Sequence, residues 1–133
     1  MTKILYREDL IFPELSYKIV GCAYEVFNEI GGGHKEIVFQ KALDISFTNN
    51  NLSHKQQVYF PLTFAGKVIQ KNFFDFLVEE KIIVEIKALG YFTKGHYDQV
   101  LNYLRASGIR LALLITFGQN EVRVKRVVNF NVV

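Results

Sequence analysis

The side chains best placed to do chemistry lie in the stretch FFDFLVEEKIIVEIKA over 73–88, where two apolar runs carry Asp75, Glu85 and Lys87 at positions a core strand would ordinarily keep apolar. Successive side chains of a strand point to opposite faces, so Glu85 and Lys87, two apart, leave the run Ile82, Ile83, Val84 and Ile86 on one side. Glu79-Glu80-Lys81 reads as a turn, and a three-residue loop there sets Asp75 directly opposite Glu85. Facing carboxylates repel, and each ion removed from water costs roughly several kcal/mol, so the pair needs a compensating cation. Lys87 is one candidate and a bound metal is another. A buried ion network serving structure alone is the third reading.

Asp75 and Glu85, with Glu36 from an earlier segment, are hard oxygen donors. His34, His54 and His96 are scattered without zinc-site spacing, and the single thiol, Cys22, stands alone. Magnesium or manganese is therefore the fitting metal. Such an ion lowers the pKa of a bound water and neutralises charge building on a phosphoryl group, while a lysine two residues from a ligand can orient that water. This is the chemistry of phosphodiester hydrolysis. A nucleophilic serine or cysteine has no support, because no Gly-x-Ser-x-Gly occurs and Cys22 has no evident histidine partner.

The elements that must position these groups follow from periodicity. Pro13 suits a helix start, and Leu15, Ile19, Cys22, Ala23, Val26, Phe27 and Ile30 recur at helical spacing until Gly31-Gly32-Gly33 stops a helix over about 13–30. A second helix is predicted over about 35–48, with Phe39, Leu43 and Phe47 on its inner stripe and Val38, Ala42 and Ile45 widening it. Glu36 belongs to that stripe, although a glutamate in a first turn also complements the helix dipole. Strands are predicted over 58–64, 68–78 and 82–88 as an antiparallel meander, the first of them at an edge because Pro61 lacks an amide donor. Between Thr93 and Gly108 a third helix turns Tyr97, Val100, Leu101 and Leu104 to the core, with His96, Gln99 and Tyr103 as a neighbouring polar stripe. LALLITF over 111–117 reads as a buried strand, and EVRVKRVV over 121–128 as an alternating one whose Arg123 and Lys125 guard an edge or contact phosphate.

At 133 residues, with half of them apolar and twelve Phe, the chain suits one domain over 1–133 with an aromatic-heavy core. One cysteine excludes an internal disulfide, which fits the cytoplasm. Arg7, Glu8 and Asp9 interrupt the apolar run a signal peptide needs, and no later run is long enough to span a membrane, so a soluble protein that does not partner a membrane is expected. A net charge of +3 permits attraction to phosphate without arguing for it alone. Exposed Phe residues, if any, would mark a self-association face and hence a homodimer.

Asp75, nine intervening residues, Glu85-x-Lys87 and a following helix with Gln99-x-x-x-Tyr103 together resemble the PD-(D/E)XK nuclease superfamily. Gly33-His34-Lys35-Glu36-Ile37-Val38-Phe39, followed by Gln40-Lys41-Ala42-Leu43, is similar to the signature of the GxxExxY protein family within it, and the likeness covers about 14–130. Phe39 stands where that family has Tyr, Phe27 where it has His, and Phe74 where the superfamily motif has Pro. The resemblance implies an α/β (α+β), restriction-endonuclease-like core, a central mixed sheet of about five strands flanked by helices. It implies a Mg²⁺- or Mn²⁺-dependent nuclease acting on DNA or RNA, with Glu36, Asp75 and Glu85 near the metal and Lys87 beside the attacking water. Gln99 and Tyr103 would position substrate or lysine, and Glu25 on the first helix is a weaker site candidate. A catalytically silent module that binds nucleic acid or a protein partner is the alternative, because this fold also hosts binding proteins.

Overall fold

Uninterrupted apolarity decides which strands sit in the middle. In the computed structural model, which describes residues 11–130, Leu111–Phe117 is buried at every position and Ile82–Lys87 at all but the last. The chain runs α1 (Pro13–Ile30), α2 (Glu36–Asn49), β1 (His54–Tyr59), β2 (Leu62–Phe64), β3 (Lys67–Gln70), β4 (Phe73–Val78), β5 (Ile82–Lys87), α3 (Lys94–Ser107), β6 (Leu111–Phe117) and β7 (Val122–Val128). The main sheet has the order β1-β4-β5-β6-β7, parallel between β5 and β6 and antiparallel at its other junctions. Parallel neighbours need a crossover, and α3 supplies it.

Two layers cover the sheet. On one face Ile19, Val26, Phe39, Leu43 and Phe47 of α1 and α2 pack against Phe76, Val84, Ile86 and Ile115. On the other Val100, Tyr103 and Leu104 of α3 pack against Ile83, Ala112, Leu114 and Val127. The mixed five-strand sheet flanked by helices is therefore as the residues and the resemblance imply. Gly32 lets α1 and α2 close onto the sheet: a Cβ there would lie 2.3 Å from the Gly118 carbonyl oxygen in the β6–β7 turn. The reading of residues 1–10 lies outside the described residues.

Four expectations change. The long strands over 58–64 and 68–78 are each broken, near Pro61 and before Phe73, so β2 and β3 form a separate hairpin projecting from the β1–β4 pair. A proline and the positive φ of Ala65 and Gly66 favour that bend. β1 also begins earlier, at His54, whose Nε2 lies 2.6 Å from Asp44 Oδ1 and ties β1 to α2. In α2, Val38 and Ile45 are exposed and Gln40 and Ser46 are buried instead, because the helix meets the polar rims of its neighbours rather than a flat apolar surface. Tyr103, read as part of a polar boundary, is 5% exposed.

The β4–β5 turn carries strain that can be tested. Glu79 and Glu80 hold φ of 54° and 59°, and the Lys81 amide donates to the Val78 carbonyl at 2.9 Å. A left-handed non-glycine residue costs about 1–2 kcal/mol. Glu79 is tied down by accepting from the Ser53 amide at 2.6 Å, whereas Glu80 makes an exposed ion pair with Lys55 that stabilises little. Glu80→Gly should raise stability by about 0.5–1 kcal/mol after glycine's own entropy loss, seen as a higher denaturant midpoint. A lower midpoint would contradict the strain.

Candidate active site

The register of β4 and β5 pairs Val78 with Ile82, Leu77 with Ile83 and Phe76 with Val84. The next positions in that register are Asp75 and Glu85, and here side chains replace the backbone ladder. Glu85 Oε1 accepts from the Asp75 amide at 3.0 Å, and Asp75 Oδ2 accepts from the Ile86 amide at 2.8 Å. The reciprocal bonds hold the two carboxyls side by side where the strands separate. By alternation with Ile83, which packs under α3, Glu85 and Lys87 share the α3 side of the sheet. Lys87 Nζ stands 3.8 Å from Glu85 Oε2.

Burial and like charge act together on this pair. Glu85 is 4% exposed, and its carboxyl is pushed up to about 8, first by loss of water and then by the Asp75 charge. With its value raised to about 8, the Glu85 carboxyl holds a proton at neutral pH. Glu36, the first residue of α2, is exposed on its outer side. Its carboxyl is nevertheless raised, chiefly by desolvation, with Lys87 lowering and Asp75 raising it, while the Ala88 amide donates to it. Tyr103 is pushed up to about 12 by burial and by the charges of Glu85 and Asp75, with Gln99 lowering it a little, and its hydroxyl donates to the Phe73 carbonyl at 3.5 Å. It is a neutral phenol at any physiological pH.

Glu36, Asp75, Glu85, Lys87, Gln99 and Tyr103 are thus brought into one neighbourhood from α2, β4, β5 and α3. Glu25 is not: its carboxylate accepts from Ser46 Oγ at 2.5 Å and lines a separate cleft beside Cys22. Three further residues reach the site: His96, read as part of the polar stripe on the third helix, Gln40, present only within the family likeness, and Gln57, which has no sequence reading. Gln57, opposite Asp75 in the β1 register, has φ of 47° and donates to Asp75 Oδ1 at 3.3 Å. Gln40 donates to the Asp75 carbonyl at 3.3 Å. His96 caps α3 with its backbone amide on Thr93 Oγ1, and burial, then the Lys87 charge, lowers its pKa. Gln57 depends on a left-handed backbone conformation in an otherwise regular β1–β4 register, which only the folded sheet imposes.

Among the described residues no three His, Cys, Asp or Glu side chains converge as a ready-made metal trio. A buried and an adjacent half-buried carboxyl nonetheless fit a small hard cation, because Mg²⁺ is commonly held by one or two carboxylates and keeps several waters. A soft or zinc-type ion finds neither thiolate nor imidazole in the pair. Thr116, beside Lys87 in the parallel register, has a buried hydroxyl without a hydrogen-bond partner among the described residues, leaving a polar group for a water or ligand oxygen.

A family model described as the PD-(D/E)XK nuclease superfamily matches residues 13–127. Among solved structures the chain is similar to a crystal structure of SSO0001, with 18% identity and a TM-score of 0.54. The match covers 92% of this chain and 60% of that one, so this chain spans well under two thirds of that protein's length, and the likeness is one of fold. No curated protein matches the chain.

Glu85 binds its proton more tightly folded, near pH 8, than at the ordinary value of 4.5, so its contribution to stability is full below about pH 4.5 and lost as pH rises through about 8. The metal-free protein should therefore melt lower at pH 9 than at pH 6. Glu85→Gln should flatten that slope and melt above the wild type at pH 9. A slope unchanged in the variant would contradict this electrostatic picture.

Proposed function

This chain belongs to the PD-(D/E)XK nuclease superfamily, and we propose that it is a divalent-metal-dependent nuclease hydrolysing phosphodiester bonds of nucleic acid, as a single domain over 1–133 acting in the cytoplasm. The observation that carries this reading is buried Glu85 beside half-buried Asp75, with Lys87 at the open end of the pair. Such a cluster is costly for a fold to keep, and a cation offsets that cost.

In this reading Asp75 and Glu85 hold Mg²⁺ or Mn²⁺, with Glu36 at the rim. The ion supplies a lowered water pKa and neutralises charge on the phosphoryl group. Lys87 offers ammonium donors that orient the attacking water and balance the phosphate charge. Gln57 and the Ile86 amide keep Asp75 in place. Tyr103, a neutral phenol whose hydroxyl donates to the Phe73 carbonyl at 3.5 Å with Gln99 beside it, positions the nucleotide or Lys87 itself. The finer assignment to the GxxExxY family is supported by the behaviour of its signature: Gly33 has φ of 85°, Glu36 turns towards Asp75 and Lys87, and Phe39 stacks on Phe117 at 4.2 Å.

Incubation with Mg²⁺ or Mn²⁺ and single- and double-stranded DNA and RNA should yield hydrolysis that is abolished by chelation. Asp75→Ala and Lys87→Ala should each lower kcat by roughly 10²-fold or more. Absence of cleavage on every substrate, or variants that cut at the wild-type rate, would overturn the catalytic reading and leave a binding module.

A further inference from the structure

A cleft of about 660 Å³ opens between the projecting β2–β3 hairpin and α3, within the size range of sites for small ligands. It adjoins the acidic site through Gln99 and Tyr103, while Asp75, Glu85 and Lys87 lie outside its lining. Its walls are rich in carboxamides: Gln70 and Asn72 from the strand side, Gln99 and Asn102 from the helix. Among the described residues no side-chain hydrogen bond engages Gln70, Asn72 or Asn102, so each offers two donors and an acceptor to the cleft. Gly95 and Ala106, small residues at the two ends of the helix stripe, keep it open.

An apolar surface lies behind these amides. Phe60 is half-buried, with its ring 6.2 Å from Phe74, which is in turn 5.7 Å from Tyr103. Arg105 adds a cation at the far end. A flat ring on the floor with amide donors and acceptors around it matches the faces and edge of a nucleobase, and not a lipid or a peptide of fixed charge. A duplex hides the pairing edges of its bases, whereas an unpaired base can be splayed out, stacked on an aromatic ring and hydrogen-bonded along its edge.

We propose that this cleft holds an unpaired nucleobase next to the phosphate bound at the acidic site, making single-stranded or locally unpaired nucleic acid the preferred substrate class. The inference rests on the nuclease reading for the phosphate's position, and is testable without cleavage.

Binding of a short labelled single-stranded oligonucleotide, its duplex and the same strand with one abasic position is measured by fluorescence anisotropy on the full chain, with metal chelated. The single strand should bind about tenfold more tightly than the duplex at the same salt. Asn102→Ala and Gln70→Ala, exposed positions whose folding is verified by an unchanged melting temperature, should each weaken single-strand binding about five- to tenfold and leave duplex binding alone. Equal affinities for the two forms, or variants that bind like the wild type, would overturn the proposal. So would competition by a nucleoside monophosphate as strong as by the oligonucleotide, which would assign the cleft to a free nucleotide. Cleavage that depends on Asp75 but keeps its strand preference in Asn102→Ala refutes the cleft and spares the nuclease reading. Amide-dependent binding by a protein that cuts nothing does the reverse.

Discussion

Two carboxylates cannot be buried side by side as anions unless something positive, or a proton, comes between them. Asp75 and Glu85 meet this constraint through backbone amides, a proton on Glu85 and a lysine 3.8 Å away. Each partner is partial. The amides supply dipoles, the lysine stands beyond hydrogen-bond distance, and the proton is surrendered as pH rises. The pair is a site with unmet demand for positive charge, and much of the surrounding structure can be read as what holds it open.

β5 carries that demand to the right place. Its apolar body anchors it between β4 and β6, and its pairing with β4 ends at Phe76 and Val84, one step before the carboxyls. Had the ladder continued, the Asp75 and Ile86 amides would have bonded backbone carbonyls and the side chains would have had no fixed partner. The site therefore sits at the carboxyl end of a central strand, where the sheet passes from antiparallel to parallel pairing. Crevices of this kind are the usual ligand sites of α/β sheets. α2 begins there and delivers Glu36, and the α3 crossover returns over it with Gln99 and Tyr103. The β2–β3 hairpin, largely exposed, adds little to the core but supplies one wall of the neighbouring cleft.

The centre of this arrangement was legible in the sequence because charge inside an apolar strand is a strong local signal. Asp75, Glu85 and Lys87 announced themselves, alternation put Glu85 and Lys87 on one face, and the length of the turn set the register. α1 and the buried strands were legible for the same reason: periodicity follows directly from which face is buried. What could not be read depends on contacts made across the fold. Gln57 reaches Asp75 from a left-handed backbone conformation within β1, Tyr103 is buried by the sheet it covers, and Val38 and Ile45 carry an apolar pattern that ends in solvent. Pro61 signalled an edge correctly, but not that the chain would leave the sheet as a separate hairpin. Glu25 shares a helix with core residues and faces a different cleft, which helical spacing alone does not distinguish.

The central claim is that the Asp75–Glu85 pair is a cation site. Anomalous diffraction from crystals soaked in Mn²⁺ tests it most directly. The account predicts one strong peak within roughly coordination distance, about 2–2.2 Å, of an oxygen from each carboxyl, with Glu36 as the third side chain nearest to it. Crystals saturated with Mn²⁺ that show no density between the two carboxyls, with both still bonded to the Asp75 and Ile86 amides, would contradict it.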